Sequence, residues 1–308
     1  MKMKNKMFKI NNNEELLLLT KASGKSKEWL LAHPEYKNFW ALLKYKYYLK
    51  KLNQGVPMAY ILGRKEFFGL DFLVNKHTLI PRPDTETLVD NVIDEISNFQ
   101  FPISNILLID VGTGTGCIPI TILNKLNKLS SRDLQGRGDP TVGLLRYARN
   151  DKNKINVIAT DISKDALKVA RKNAKKYNVK INFLHGDLLS PVFTNFQLST
   201  FNFQTIIITA NLPYLKEEWW KNEPSIQHEP KSALVSDNET GLYLYEKLLQ
   251  QISDKLSTFN FQLLTFLEID PRQSAQIFPL IQKYLPEASI EIVKDLSDFD
   301  RVVKIKIF

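Results

Sequence analysis

From residue 105 onward, short apolar runs alternate with longer amphipathic stretches, and this alternation constrains the fold more than any other feature. Ile106 to Val111, Asn156 to Asp161, Ile181 to Leu184, Thr205 to Ala210 and Leu263 to Ile269 read as buried strands. Cys117 to Leu129, Lys164 to Tyr177, roughly Gly241 to Leu256, and Arg272 to Tyr284 read as helices, and two further strands close the chain. Strand–helix alternation of this kind belongs to an α/β fold, a parallel sheet covered by helices on both faces. Such sheets bind ligands beyond the carboxyl ends of their strands, so those ends are where chemistry is to be sought.

The segment before this pattern is organised differently. Leu30, Phe39, Trp40, Leu42, Leu43, Tyr47 and Leu49 recur at roughly helical spacing, interrupted at Pro34 and by Gly55 with Pro57, which predicts short helices over the first 60 residues. Phe67 to Val74 reads as extended, with a bend at Gly69, and a helix is expected from Asp84 to about Ile96, capped by Asp84 or Thr85. The division expected is a small helical domain over 1–76, including a hairpin linker, and a second domain over 77–308. Residues 1–76 hold 15 Lys+Arg and 6 Asp+Glu, a balance of +9, whereas the remaining 232 residues hold 27 of each. That asymmetry fits either an anionic partner for the N-terminal part or a solvated lysine face. Between the first two strands, the stretch 125–154 carries 8 Lys+Arg against 3 Asp, and residues 130–152 read as a surface insertion.

Composition removes several classes. With 44% hydrophobic and 24% charged residues over 308 positions, the chain is an ordinary globular protein able to bury a core without staples. A single cysteine, Cys117, excludes an internal disulfide framework, and His33, His77, His185 and His228 are too dispersed for a zinc site. Apolar runs such as Leu16 to Leu19 fall far short of the ~18 residues of a membrane span, and no signal peptide is visible, so a cytoplasmic protein is expected.

The strand ends carry polar and glycine-rich segments in a telling order. The first delivers Asp110-Val111-Gly112-Thr113-Gly114-Thr115-Gly116. Glycines there permit a tight turn and close approach of backbone to ligand, and the next helix offers its N-terminal amides. The spacing is Gly-x-Gly-x-Gly, not the Gly-x-Gly-x-x-Gly of pyrophosphate binding. With an acidic strand end before it, the loop suits a cationic ligand lacking phosphates, such as S-adenosylmethionine. The second strand ends in Asp161, which can accept both hydroxyls of a ribose, followed by Ser163 as a helix cap. The third ends in His185-Gly186-Asp187-Leu188, placed to lie beside an adenine. The fourth runs into Asn211-Leu212-Pro213-Tyr214, the sharpest signal in the chain. An amide or aromatic amine is a poor nucleophile because its lone pair is delocalised. The Asn211 carboxamide oxygen and a following backbone carbonyl can each accept one N–H of a planar NH2 group, aligning it with a methyl donor as positive charge develops. Pro213 stiffens the loop, and Tyr214 can pack on the face of the planar group.

Over nearly its whole length the chain resembles the peptide chain release factor glutamine N5-methyltransferases (PrmC/HemK). The resemblance rests on Gly55-Val-Pro57 with Tyr60-Ile-Leu-Gly63, Leu79-Ile-Pro-Arg-Pro-Asp-Thr-Glu86, Asp110 to Gly116, Asp161-Ile-Ser163 with Ala166-Leu167, and Asn211 to Tyr214. It continues through His228-Glu-Pro230, Ala233-Leu234, Gly241-Leu242, Glu268, Asp295 and Arg301-Val302. It implies a class I, Rossmann-like methyltransferase domain with a seven-stranded, mostly parallel sheet, preceded by a helical domain that helps hold a class 1 release factor. The implied substrate is the glutamine of a Gly-Gly-Gln tripeptide. Carried over, Asp110, Gly112, Thr113, Gly114, Thr115, Gly116, Asp161, Asp187, Leu188 and Asn211 contact S-adenosylmethionine, while Asn211, Leu212, Pro213 and Tyr214 hold the glutamine amide. No metal, membrane or nucleic-acid partner is expected, and a monomer suffices.

Two departures stand out. The family tetrapeptide is usually Asn-Pro-Pro-Tyr, and Leu212 replaces its second residue. Asn-Leu-Pro-Tyr also occurs in rRNA adenine dimethyltransferases, which makes a nucleic-acid adenine N6-methyltransferase the alternative; those enzymes, however, carry a C-terminal helical domain, whereas this chain closes on strands. The second departure is the interval of 51 residues from Asp110 to Asp161, about twice that usual in this fold.

Overall fold

The computed structural model describes residues 12–99, 106–132, 155–195, 203–236, 239–255 and 261–307. Apart from its first three residues, the expected insertion 130–152 lies outside them.

Four helices come first among the described residues: α1 (Asn13–Ser23), α2 (Lys27–Ala32), α3 (Phe39–Asn53) and α4 (Met58–Leu62). Asn12, Ser26 and Asn38 cap the first three by accepting a backbone N–H with their side chains. They enclose a core of their own, built from Leu16, Leu18, Leu19, Leu30, Tyr45 and Ile61. Strands β1 (Arg64–Phe67) and β2 (Leu70–Leu73) form an antiparallel hairpin, its turn made by Phe68 and Gly69, both at positive φ. The hairpin packs away from the helices: Phe67 and Phe72 are fully buried in a core under the large sheet, each contributing about 1.5–3 kcal/mol.

After α5 (Thr85–Ser97) the alternating part unfolds as β3 (Ile106–Val111), α6 (Cys117–Arg132), β4 (Asn156–Asp161), α7 (Lys164–Lys176), β5 (Asn182–His185), α8 (Ser190–Asn195) and β6 (Thr205–Ala210). It ends with α9 (Glu217–Lys221), α10 (Tyr243–Lys255), β7 (Gln262–Glu268), α11 (Ser274–Tyr284), β8 (Ser289–Lys294) and β9 (Asp300–Ile307). The seven strands of this sheet lie in the order β5-β4-β3-β6-β7-β9-β8. Pairing is parallel from β5 to β7 and antiparallel at β9 and β8, so the fold is α/β with a mostly parallel sheet. All six residues of β3 and of β6 are buried because helices cover both faces, whereas edge strand β8 alternates between exposed and half-buried positions. From β3 the chain winds outward to β5, then returns to place β6 on the other side of β3. This reversal opens a crevice at the carboxyl ends of β3 and β6.

One local expectation fails. Asp84 occupies the cap position of α5, but neither it nor Thr85 makes a side-chain capping bond. The Asp84 carboxylate pairs at 3.2 Å with Arg301, and the Thr85 hydroxyl is engaged by Asn211. Tertiary partners have claimed both groups. The short helices α8 and α9 carry no periodic signal in the sequence, and α11 is preceded by a 3₁₀ turn over Pro271–Gln273 rather than starting at Arg272.

Candidate active site

The crevice contains two adjoining cavities. The larger, about 310 Å³, is lined by the glycine loop (Gly112, Gly114), by Asp161-Ile162-Ser163 after β4, by Gly186-Asp187-Leu188 after β5, and by Asn211-Leu212-Pro213 after β6. The smaller, about 140 Å³, is lined by Arg82, Asn211 to Leu215, Ile226 and Leu234. Leu79, Asn211, Leu212, Pro213 and Ala233 belong to both, so the tetrapeptide forms the partition between the two spaces.

Asp161 is fixed by the chain's own amides. Its Oδ2 accepts the Gly114 N–H at 2.8 Å and its Oδ1 the Ser163 N–H at 2.7 Å. An ionised carboxylate offers about four acceptor positions, so each oxygen can still accept from a ligand hydroxyl. Burial raises its pKa, opposed by those two amides and by His185. Ser163 caps α7 through the Ala166 N–H, and His185 contacts the Ile162 carbonyl at 3.0 Å. Asp187 lines the cavity while paired with Lys247 at 2.5 Å. Gly112 has φ +73°, and a Cβ there would come within 3.0 Å of Leu212 Cδ2. The loop backbone can meet the tetrapeptide only because that side chain is absent.

Four residues expected at the ligand lie beneath this surface instead. Asp110 is fully buried; its Oδ1 accepts the Thr209 hydroxyl at 2.7 Å, its Oδ2 has no partner, and burial pushes its pKa up to about 7. Thr113 and Thr115 are buried, and Gly116 packs against Ile120 and Ala170. These residues shape the loop from below, where the first helix turn must pack closely on α7.

Asn211 is held from behind. Its Nδ2 donates to the Thr85 hydroxyl at 3.1 Å, leaving its carboxamide oxygen as an acceptor. Glu268, at the carboxyl end of β7, lies fully buried close behind both, and its Oε2 has no hydrogen-bond partner among the described residues. Burial pushes Glu268 up to about 7, against the pull of Thr85, Arg301 and Asn211. The backbone N–H that Leu212 possesses and a proline would lack donates to the Tyr245 hydroxyl at 3.2 Å. That hydroxyl spends its one proton on the Glu268 carbonyl. Tyr214 packs against the core beyond the partition, and the Gln273 side-chain amide donates to its carbonyl at 3.0 Å. Gly241, at φ +77°, lies so close that a Cβ would stand 2.2 Å from the Tyr214 carbonyl oxygen.

The remaining sequence motifs explain one another. Glu229 is buried; it accepts the Ile80 N–H at 2.9 Å and pairs with Arg82, joining His228-Glu229-Pro230 to the Pro-Arg-Pro junction. His228 contacts the Gln54 carbonyl at 3.0 Å, beside Gly55, and the Tyr60 hydroxyl donates to the Thr78 carbonyl at 2.5 Å. These bonds clamp the helical unit onto the rim of the cavity. Residues 76–79 and Ile162 also line it, and reasoning from single strand ends did not assign them a site role. Glu268 could have been given a site role by the rule that found Asp161 and Asn211, since it too ends a parallel strand. For Thr85, 126 residues from Asn211, no local signal exists.

No helix among the described residues is long and apolar enough to cross a membrane, and no cluster of metal-binding side chains occurs among them. A family described as "Methyltransferase domain" matches residues 134–222. The chain is 32% identical over 314 residues to a protein of Mycoplasma mycoides named "Release factor glutamine methyltransferase", covering 100% of this chain and 96% of that one. Relatives of the same name from Enterococcus faecalis and Bacillus subtilis are 34% and 30% identical, covering 82% and 95% of this chain and 77% and 90% of theirs.

Proposed function

Since the chain belongs to the release factor glutamine methyltransferases, we propose that it transfers a methyl group from S-adenosylmethionine to the side-chain amide nitrogen (N5) of the Gly-Gly-Gln glutamine of a class 1 release factor. The observation that carries this reading is the partition. One anchored carboxamide and one backbone turn face both a nucleoside-sized cavity and a narrow second cavity that a single planar amide side chain fits.

The residues of the larger cavity suit the cofactor. Asp161 retains acceptor positions for two ribose hydroxyls. Ile162 and Leu188 offer apolar walls for a base, with Asp187 at its edge, and the Gly112–Gly114 backbone can approach the amino-acid end. When bound, S-adenosylmethionine supplies an electrophilic methyl group on its sulfonium. The chain's task is then to make the amide nitrogen attack. Asn211 Oδ1 and the Leu212 carbonyl each accept one N–H of the substrate, which sets the lone pair in line and stabilises the growing positive charge; a positioned group of this kind contributes about 3 kcal/mol. Pro213 and Tyr214 hold the amide plane. After transfer the nitrogen is cationic and acidic, so its extra proton leaves to water, and the chain needs no dedicated base. The helical unit within 1–76, with its surplus of 15 basic over 6 acidic residues, grips the release factor while domain 77–308 carries out the transfer.

The adenine N6-methyltransferase alternative is not favoured, because relatives at this identity are named for glutamine. The test is transfer of labelled methyl from S-adenosylmethionine to a purified class 1 release factor, to its Gln→Ala variant at Gly-Gly-Gln, and to total RNA. Label on the wild-type factor alone is expected; label on RNA and none on protein refutes the reading.

A further inference from the structure

Among the described residues Arg82 is the one charged side chain lining the narrower cavity, and the transfer just described leaves it without a task. It lines that cavity and not the larger one, so it stands on the substrate side of the partition. Apart from Asn211 and Tyr214, the other lining residues are apolar, among them Leu79, Ile226 and Leu234. Glu229 holds Arg82 in place at two points. Its Oε1 accepts from the guanidinium Nη2, and its Oε2 accepts the backbone N–H two residues earlier, at Ile80, at 2.9 Å. Pro81 and Pro83 restrict the backbone on either side. The Glu229 side chain is sealed, 1% exposed, whereas that of Arg82 is 34% exposed, which puts the guanidinium at the mouth of the cavity.

A guanidinium carries five N–H donors and no acceptor. Among the described residues Arg82 gives its one hydrogen bond to Glu229, which leaves the other donors for a ligand at the mouth. Because Glu229 balances the charge, the arginine offers directed N–H groups and no net positive field. We infer that Arg82 is a substrate-binding residue that donates to main-chain carbonyl oxygens of the tripeptide carrying the target glutamine. The inference rests on the proposed transfer to a Gly-Gly-Gln glutamine and deepens it. Two glycines have no side chains, so an enzyme reads them through main-chain N–H and C=O groups and through the room their missing side chains leave. With the glutamine side chain seated in the narrow cavity, that main chain lies at the mouth, where Arg82 stands.

The glutamine's own side-chain oxygen is the wrong target on energetic grounds. In the amide that oxygen shares the nitrogen lone pair and is electron-rich. As the nitrogen attacks, the pair passes into the new N–C bond and the oxygen loses that charge. A cation hydrogen-bonded there would stabilise the ground state more than the transition state and slow the reaction. A main-chain carbonyl is not conjugated with the attacking nitrogen, so a bond to it is equally strong in both states. It adds affinity and orients the tripeptide without raising the barrier. The signature of Arg82 is therefore in KM for the protein substrate and not in kcat.

The test compares wild type, Arg82→Lys and the double variant Arg82→Met/Glu229→Gln on a purified class 1 release factor at saturating S-adenosylmethionine. Arg82→Lys keeps a cation paired with Glu229, and so any purely structural role, but loses the planar fork. The double variant removes both charges together, and the substituted side chain at 229 can still accept the Ile80 N–H. Both should raise KM for the release factor on the order of tenfold or more, with kcat within about threefold and cofactor Kd within about twofold of wild type. A second readout needs no turnover: calorimetric binding of the release factor to each protein saturated with S-adenosylhomocysteine should weaken by the same factor as KM rises. Wild-type KM and Kd in Arg82→Lys would make the arginine a counter-ion to Glu229 and overturn the inference. A kcat that rises together with KM would put it on the glutamine side-chain oxygen and overturn the main-chain assignment. Should wild type bind the release factor and leave it unmethylated, the proposed function fails, while the calorimetric comparison still decides whether Arg82 touches the bound protein. A wild type that neither binds nor methylates the factor removes both.

Discussion

Replacing Leu212 by proline, the residue usual at this position among the enzymes it resembles, is expected to weaken this protein. The reason is one hydrogen bond. Leu212 N–H donates to the Tyr245 hydroxyl at 3.2 Å, and that hydroxyl donates in turn to the Glu268 carbonyl. Proline has no N–H, so the first bond is lost, at about 1 kcal/mol. Leu212 is also buried and packs in the main core, and the smaller ring forfeits roughly one methylene, about 0.8 kcal/mol. Against this, proline restricts the unfolded chain and returns about 0.4–1 kcal/mol. The net is a loss of about 1 kcal/mol. Tyr245→Phe should cost more, about 3 kcal/mol, because it strands both the Leu212 N–H and the Glu268 carbonyl in the buried core. The decisive quantity is the coupling. In the double variant the Leu212 N–H no longer exists to be stranded, so the two changes together should cost about 1 kcal/mol less than their separate costs combined. Equilibrium urea unfolding of the four proteins, followed by circular dichroism and tryptophan fluorescence, measures this. Additive costs, or a Leu212→Pro protein more stable than wild type, would refute the account of how this chain tolerates leucine.

Other expectations follow from the same contacts. Asn211→Ala should cut kcat on the order of a hundredfold or more while cofactor affinity changes far less; near-normal turnover would remove Asn211 from the mechanism. Asp161→Ala should weaken S-adenosylmethionine binding at least tenfold in calorimetry, since hydrogen bonds to a charged group are worth about 1.5–3 kcal/mol each, and an unchanged Kd would count against the ribose role. Gly241→Ala, whose Cβ would meet the Tyr214 carbonyl at 2.2 Å, should lower both kcat and Tm. Its control is Gly24→Ala, where nothing lies within 4 Å and only the cost of positive φ, about 1–2 kcal/mol, applies; equal effects at both positions would show that the contact is irrelevant. Glu229→Ala should destabilise by about 2–4 kcal/mol by leaving the Ile80 N–H unpaired and freeing Arg82, read as Tm and as earlier proteolysis at the junction.

The alternating part of the fold was legible because its signal is local. Ile106 to Val111 and Thr205 to Ala210 are built on the unbroken apolar runs Ile106 to Ile109 and Ile206 to Ile208, as suits strands covered on both faces, and their bounds agree with β3 and β6 to the residue. Ser163 was legible as a cap for the same reason, since its bond to the Ala166 N–H spans three residues. Helices α8 and α9, of six and five residues, were not legible, because fewer than two turns cannot display a period. Asp84 and Thr85 were misjudged as capping groups because a cap competes with whatever tertiary partner arrives, and here an arginine 217 positions away and an asparagine 126 away prevailed.

The same division runs through the site. The sequence by itself determined which chemical groups stand at strand ends, since strand direction and the parallel order place Gly112 to Gly116, Asp161 and Asn211 at one edge of the sheet whatever else occurs. It could not determine which of them face the cavity. Asp110 and Asp161 both end strands, yet one is sealed beneath the loop against Thr209 and the other opens onto the crevice. Nor could it supply the Asn211–Thr85 bond or the clamp of Glu229 on the junction, whose members lie 126 to 149 residues apart. Periodicity and turn chemistry act over a few residues and are written in the order of the chain. Burial, and the pairing of polar groups that burial enforces, depend on which distant segments close over a position, and only the folded chain decides that.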